Sequence, residues 1–329
     1  MKKQTIIIGT GLIVVVLLLF GAGVGAYTGY LGLVWDAGTA KSDDPALAKQ
    51  LQSSKQGAKD EGPTATDILF LGTDAAEPAA TSAASTGFTT DLIMVAHIPA
   101  DRSGVQLVSI PNDTWVRVSG HGHNTIETSA AVGGLPLAVR TVSEFLDITI
   151  DHVAVVDLAG LSDLTDLVGG VEVNSSTAFE SGGHDFTVGL NALDGAAALA
   201  FVQERSAFPD GDLQRIRNQQ EFLRAMGSQV MSADYELNPL KMSELVRALS
   251  PFLTVDSGLN ASTLVTLASE LKGISADDFD FVAAPTENSG VPDDGTRLIA
   301  DRGGLERLKQ AIADDSVSDY AFEAEDRRR

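Results

Sequence analysis

The 329-residue sequence predicts a mixed α/β domain, with a central mixed sheet flanked by helices, carried behind an N-terminal transmembrane helix. Three observations predict it. Gln4 to Trp35 contains no charged side chain, and Ile6 to Tyr27 is apolar or small throughout, long enough to cross a hydrocarbon core of about 30 Å. Three short apolar runs then lie between Asp67 and Asp113. Each is too short for a helix of several turns and is bounded by Gly, Pro, Asp or Ser, as buried strands are. Beyond them, apolar runs alternate with amphipathic stretches, the pattern of strands covered by helices.

Lys2 and Lys3 precede the N-terminal apolar stretch, and Asp36, Asp43 and Asp44 follow it. That asymmetry puts the N-terminus in the cytoplasm and the remainder outside the cell membrane. A cleavable signal peptide shares the basic start, but the length of the run favours a retained single-pass anchor, with Tyr27, Tyr30 and Trp35 as interfacial side chains. Residues 36–66 are rich in Ala, Lys, Ser, Gln, Gly and Asp and read as a linker with a weak helix from Pro45 to Lys55. The expected organisation is a cytoplasmic start and anchor over 1–35, a linker over 36–66, an extracytoplasmic domain over 67–315 and a charged tail over 316–329.

Composition excludes two classes of function. There is no cysteine, so neither disulfides nor thiol chemistry contribute. The formal net charge is −22, which opposes nucleic-acid binding, because phosphate neutralisation needs a surplus of Lys and Arg.

The three apolar runs are Ile68 to Thr73, Leu92 to Ile98 and Val105 to Ile110. If they pair as a meander, Asp74 follows the first strand, Asp91 precedes the second and Asp113 follows the third, all at one end of the sheet. The loop from Ala75 to Thr90 is long for a hairpin, as functional loops often are. Carboxylates gathered so closely favour a divalent cation such as Mg²⁺, although Asp is also an ordinary turn residue. Trp115 to Val118 would extend the sheet. His121 and His123 sit in a Gly-rich loop with no third imidazole nearby, a weak metal signature.

Helices are expected over Gly134 to Leu146 and Leu158 to Val168, and strands over Ile150 to Leu158 and Val171 to Asn174. Asp194 suits the N-cap of a helix from Gly195 to Glu204, and a Pro- and Gly-containing loop leads to a long helix from Leu213 to about Met231. Arg205 stands at the end of the first helix, Arg215 in the first turn of the second, and Gln219 one turn further along the same face. Together they would form a cationic patch beside a helix N-terminus, a favourable place for phosphate. Ion pairs with Asp210 and Asp212 are the competing account. Further helices are expected over Lys241 to Leu249, Asn260 to Leu271 and Arg302 to Ala313, and a strand over Phe279 to Ala284.

Several segments, taken as a set and in order, resemble the LytR-CpsA-Psr (LCP) family. They are Ile68-Leu-Phe-Leu-Gly-Thr-Asp74, Thr90-Asp91, Val108-Ser-Ile-Pro-Asn-Asp-Thr114, Arg140-Thr-Val, Ile150-Asp-His152, Val156-Asp-Leu-Ala-Gly160, Gly169-Gly-Val-Glu-Val173, Leu193-Asp-Gly195 and Gly211-Asp-Leu-Gln-Arg215 with Gln219-Gln220. The resemblance implies a phosphotransferase of the bacterial envelope that moves a glycopolymer from a polyprenyl-pyrophosphate carrier to peptidoglycan. It implies Asp74 and Asp91 as ligands of Mg²⁺, with Mn²⁺ as a substitute. Asp91, Arg205 and Arg215 become the catalytic set, and Asn112, Gln203, Arg205, Arg215 and Gln219 the substrate contacts. An apolar tunnel for the polyprenyl tail is implied as well.

The chain also departs from the family pattern. Asn112, Gln203, Thr89 and Asn218 occupy positions where the family commonly carries a basic residue, and a neutral amide or hydroxyl cannot replace the Coulomb attraction of a guanidinium for phosphate. The alternative expectation is an impaired member that binds polyprenyl phosphates or envelope glycans as a scaffold or attenuator.

Overall fold

The computed structural model describes residues 25–55, 64–73, 87–209, 211–230, 238–271, 274–275, 278–288 and 297–326. Asp74, Asp210 and most of the expected membrane span lie outside these residues. Among the described residues, no helix is long and apolar enough to cross a membrane.

In chain order, α1 (Gly25–Gly38), β1 (Ala40–Ser42) and α2 (Pro45–Lys55) precede the expected meander of β2 (Thr66–Thr73), β3 (Leu92–Ile98) and β4 (Val105–Ser109). A hairpin of β5 (Trp115–Val118) and β6 (Gly122–Thr125) leads to α3 (Thr128–Leu146), β7 (His152–Asp157) and α4 (Ala159–Leu167). Next come β8 (Val171–Ser175), β9 (Phe179–Ser181), β10 (His184–Phe186), β11 (Gly189–Leu193), α5 (Gly195–Gln203), α6 (Asp212–Val230) and α7 (Pro239–Leu249). The chain closes with β12 (Leu253–Asp256), α8 (Ala261–Glu270), β13 (Phe279–Ala283), β14 (Thr286–Asn288), β15 (Leu298–Ala300), α9 (Arg302–Ala313) and α10 (Val317–Asp326).

The chain divides into two compact units, neither contiguous in sequence. One comprises residues 39–158, 252–259 and 280–329, and the other residues 1–38, 159–251 and 260–279.

The first unit, the sheet unit, is built on a seven-stranded sheet of order β1-β12-β7-β2-β3-β4-β13. β2, β3 and β4 pair antiparallel as the expected meander, with Gly72 opposite Leu92 and Met94 opposite Ser109. β7 joins parallel to β2 after the α3 crossover, with Thr73 opposite Asp157, so the sheet is mixed. β2, β3 and β4 are buried almost throughout, which explains why they read as continuous apolar runs without alternation. Their side chains, with Leu135, Val139, Val142 and Leu146 from α3, form a continuous core. α3 starts earlier than Gly134 because its axis breaks there, where φ is 60° and Pro136 follows.

Three expectations change in this unit. The helix expected over Pro45 to Lys55 is present as α2, but it buries Leu47 and Leu51 in the core, and β1 pairs with β12 at the sheet edge, so this part of the expected linker is packed structure. β5 pairs with β6 in a separate hairpin and does not extend the main sheet. The charged tail is helical from Val317 to Asp326, since Val317, Tyr320 and Ala321 recur at helical spacing and pack on the core.

The second unit, the helical unit, holds α1 and α4 to α8 with two short ribbons, β8–β11 and β9–β10. α1 packs on α7 and α8 and buries Leu31 and Trp35 almost completely. Trp35 is therefore a core side chain and not an interfacial anchor. Gly32 permits the close approach, because a Cβ there would lie 2.8 Å from the Ala261 Cβ.

Candidate functional site

Within the sheet unit, four strand termini meet at one end of the sheet: the end of β2 at Thr73, the start of β3 at Asp91, the end of β4 leading to Asn112, and the end of β7 at Asp157. Backbone bonds fix this edge, with the Asp91 N–H donating to the Gly72 carbonyl at 2.8 Å and the Leu158 N–H to the Thr73 carbonyl at 2.8 Å. The Thr90 hydroxyl is within reach of the carbonyls of Gly72, at 2.9 Å, and Leu92, at 2.8 Å. Asn112 is buried and its side-chain amide donates to the Thr90 carbonyl. A residue expected as a substrate contact thus ties the segment after β4 to the start of β3. Asp91 is half-buried. Gly72 is required by packing, since a Cβ would lie 2.8 Å from the Leu92 Cβ and 3.2 Å from Leu158 Cδ2.

Asp157 was not singled out from sequence. The signal for it was the crossover: a strand that returns through a helix runs parallel to its neighbour, which carries its final residue to the same sheet end as Asp91.

The helical unit presents the other expected residues at the corner between α5 and α6. Asp194 caps α5 by accepting the Ala197 N–H at 2.9 Å, and the helix ends at Gln203, which is half-buried. The loop that follows is closed by its own bonds. The Phe208 N–H reaches the Arg205 carbonyl at 3.2 Å, the Gly211 N–H the Phe208 carbonyl at 3.2 Å, and the Arg215 N–H the Gly211 carbonyl at 3.1 Å. Arg205 is exposed on this loop, while Arg215 in the first turn of α6 is buried, with 3% of its surface accessible. Asn218 and Gln219 donate to the carbonyls of Phe201 and Val202, both at 3.3 Å. These bonds hold the last turn of α5 against the first turns of α6 and satisfy carbonyls that a helix end leaves open.

Sequence reading missed the support beneath the loop. Phe208 packs edge-on against Phe179 at 4.8 Å, Phe179 stacks on Phe186 at 4.6 Å, and both approach Phe201, at 5.6 and 5.3 Å. The aromatic spacing, at 179, 186, 201 and 208, follows no helix or strand period, so only the fold brings the rings together. Burial pushes the Glu204 carboxyl up, but hydrogen bonds from Ser181 and from the backbone N–H groups of Ala207, Ser206 and Arg205 outweigh it and hold the group below the usual range. Gln203, Arg205, Arg215 and Gln219 therefore share one corner of one unit, while Asp91 and Asn112 share one sheet end of the other.

A hard cation that binds through one or two carboxylates and the oxygens of a phosphate ligand needs the oxygen donor that Asp91 supplies. Among the described residues, no group of three or more His, Cys, Asp or Glu side chains gathers to hold a metal unaided, and His121 and His123 lie exposed on the β5–β6 hairpin.

The opposite end of the main sheet carries two buried histidine–aspartate pairs. His97 places Nδ1 2.8 Å from Asp67 and Nε2 3.0 Å from Asp315, and Asp151 accepts the Asp67 N–H at 2.9 Å. Burial depresses the His97 imidazole, but the flanking Asp67 and Asp315 carboxylates outweigh it and raise its pKa above the usual value. Burial likewise raises Asp67, only partly offset by His97. His152 lies 3.2 Å from Asp256, which also accepts the N–H groups of Val153 at 2.9 Å and Gly258 at 2.8 Å. These bonds outweigh burial and keep the Asp256 carboxyl below its ordinary range.

Comparison with solved structures shows a shared fold. TagV of Bacillus subtilis superposes with a TM-score of 0.62 at 23% identity, covering 78% of this chain and 98% of that one. Protein gbs0355 of Streptococcus agalactiae superposes at 0.65 with 17% identity, covering 84% and 91%. Among curated relatives, the cell wall biosynthesis protein LcpA of Corynebacterium glutamicum is 30% identical over 276 residues, which is 71% of this chain and 53% of that protein. The alignment therefore spans about half of LcpA. TagU of Enterococcus faecalis, named a polyisoprenyl-teichoic acid–peptidoglycan teichoic acid transferase, is 31% identical over 245 residues, 74% of this chain and 76% of that protein. The model of the LytR_cpsA_psr family matches residues 33–313, most of the chain, in agreement with the motif order from Ile68 to Gln220. The chain belongs to the LytR-CpsA-Psr family.

Proposed function

We propose that this protein transfers a glycopolymer from a polyprenyl-pyrophosphate carrier to peptidoglycan on the outer side of the cell membrane, held there by one N-terminal helix. The observation that carries the proposal is Arg215, a buried guanidinium in the first turn of α6. A cation at the positive end of a helix dipole, surrounded by a chain of net charge −22, makes a local site that favours an anion. The naming of the relative TagU as a transferase acting between a polyisoprenyl-linked polymer and peptidoglycan supports a pyrophosphate as that anion.

In this reading Arg205 and Arg215 bind and orient the pyrophosphate oxygens, with Arg215 fixed by its burial and Arg205 presented on the Phe208-anchored loop. Gln219, with Asn218, holds the α5–α6 corner in register, Asn112 does the same for the start of β3, and Gln203 at the end of α5 contacts the substrate. Asp91, with Asp74, would hold Mg²⁺ or Mn²⁺, which when bound offsets phosphate charge. Phosphoryl transfer depends largely on such positioning and charge neutralisation. The test is release of polyprenyl phosphate from a lipid-linked glycan by the full chain in the presence of Mg²⁺, lost in Asp91→Ala and in Arg205→Ala. Absence of turnover with every lipid pyrophosphate extracted from the source envelope would refute transfer.

A second reading, a member that binds lipid or glycan without turnover, is favoured by one observation. Asn112 stands where the family commonly has Arg, and its amide is engaged with the Thr90 carbonyl. Polyprenyl phosphate co-purifying with the protein, while Mg²⁺ changes neither thermal stability nor lipid affinity, would favour it.

A further inference from the structure

The helical unit contains a cleft of about 990 Å³ between the β8–β11 ribbon and α6, at the upper end of the roughly 300–1,000 Å³ of small-molecule sites. Register decides which ribbon side chains face it. Asn174 lies opposite Leu190 and Glu172 opposite Ala192, and these four are exposed while Val171, Val173 and Leu193 are buried. From α6 come Glu221, Arg224 and Gln229. Counted at about 100° per residue, Glu221 and Arg224 lie some 120–180° around the helix from Arg215, so the cleft is separate from the α5–α6 corner.

The lining is pre-oriented. Arg224 Nη1 donates to Glu221 Oε1 at 3.2 Å, and Gln229 Nε2 to the Val168 carbonyl at 3.0 Å. Burial raises the Glu221 carboxyl even against the pull of Arg224. The chemistry of the walls narrows the ligand. An anionic polymer is disfavoured, because four carboxylate side chains, Asp166, Glu172, Asp194 and Glu221, line the cleft with a single arginine. A bare cation is disfavoured too, since Asp166 and Asp194 accept the N–H groups of Gly195 and Ala197. An aliphatic tail would cover the exposed Glu172 carboxylate and Asn174 amide with hydrocarbon and offer them no hydrogen bond. What fits is an uncharged molecule rich in both donors and acceptors, with an apolar face for Leu190, which is 73% exposed.

We propose that the cleft between the β8–β11 ribbon and α6 binds an uncharged saccharide chain, whose hydroxyl or acetamido groups meet Glu172, Asn174, Glu221, Arg224 and Gln229 while a ring face rests on Leu190. The assignment does not depend on transfer by the α5–α6 corner, because a saccharide docks here whether or not its polymer is moved. Two sources share this chemistry, an N-acetylated glycan strand and a neutral hexose polymer.

The experiment is isothermal titration of the full chain, held in a sugar-free zwitterionic detergent, with a β-1,4-linked N-acetylglucosamine tetramer, a β-linked galactose tetramer and a glycerol-phosphate oligomer. Binding of the first or second tetramer supports the proposal and identifies the source. Leu190→Ser and Asn174→Ala, both at exposed positions that leave the fold intact by circular dichroism, should each weaken that binding about tenfold, and Arg224→Gln should do so at least as strongly. Arg205→Ala should leave it unchanged, which separates this site from the transfer reading. No binding of either neutral tetramer, binding of the glycerol-phosphate oligomer alone, or equal affinity in the wild type and both ribbon variants would overturn it.

Discussion

Arg215 and Arg205 sit in different surroundings although both carry the same charge. Arg215 is buried in a helix's first turn, whereas Arg205 is exposed on a loop, so the first has its geometry fixed and the second must be held by its loop. If the proposed transfer holds, Arg215→Gln should lower turnover on the order of 10²–10³-fold, as removal of one preorganised charge-stabilising donor does. Arg215→Lys should recover only part of it, because an ammonium cannot reproduce the planar fork. Initial-rate kinetics with matched circular dichroism spectra would check both. At the far end of the sheet, His97 gives a prediction of another kind. Its folded-state pKa is raised above the unfolded value, so the stabilisation it contributes is complete below about pH 6.5 and is lost as pH climbs through the raised value. Wild-type melting temperature should fall over that alkaline interval relative to its value near pH 6, and His97→Gln should lack that component of the slope. Two identical pH profiles would show that folding leaves the His97 pKa unshifted.

At the scale of elements, the loop carrying Arg205 depends on aromatic packing that no local pattern announces. Phe208→Ala removes a nearly buried ring from the Phe179, Phe186 and Phe201 cluster and should cost about 3–5 kcal/mol of the unit's stability. If the proposed transfer holds, it should also raise KM more than it lowers kcat in initial-rate kinetics, because the Arg205 guanidinium is kept but its position is not. Gly72→Ala, at the sheet end near Asp91, should destabilise by roughly 1–3 kcal/mol through overpacking against Leu92, measurable by denaturant titration. The elements themselves were largely legible. β2, β3 and β4 read directly from their apolar runs, and α5 and α6 from Asp194 and the amphipathic period. Other parts were hidden for physical reasons. β1 and β12 are three and four residues long and take their identity from long-range pairing, β1 with β12 and β12 with β7. α2 and α10 have few apolar residues, so their burial follows from where Leu47, Leu51 and Val317 land. That Arg205, Arg215 and Gln219 share one helix corner was legible from spacing, but Asp157 and the phenylalanine cluster depend on long-range topology that spacing does not reveal.

For the whole molecule, the charge balance bears on the proposed transfer. A protein of net charge −22 repels an anionic lipid-linked polymer at distances up to the Debye length, about 8–10 Å near physiological salt. If the proposed transfer holds, kcat/KM at fixed free Mg²⁺ should rise with added NaCl from low ionic strength, since screening removes more long-range repulsion than local attraction. A steady fall would mean that the field of the two arginines governs encounter. The packing of α1 has a mechanical consequence. Because Leu31 and Trp35 anchor this helix against α7 and α8, tension applied at Gly25 is delivered into a close-packed interior with no slack leash to absorb it.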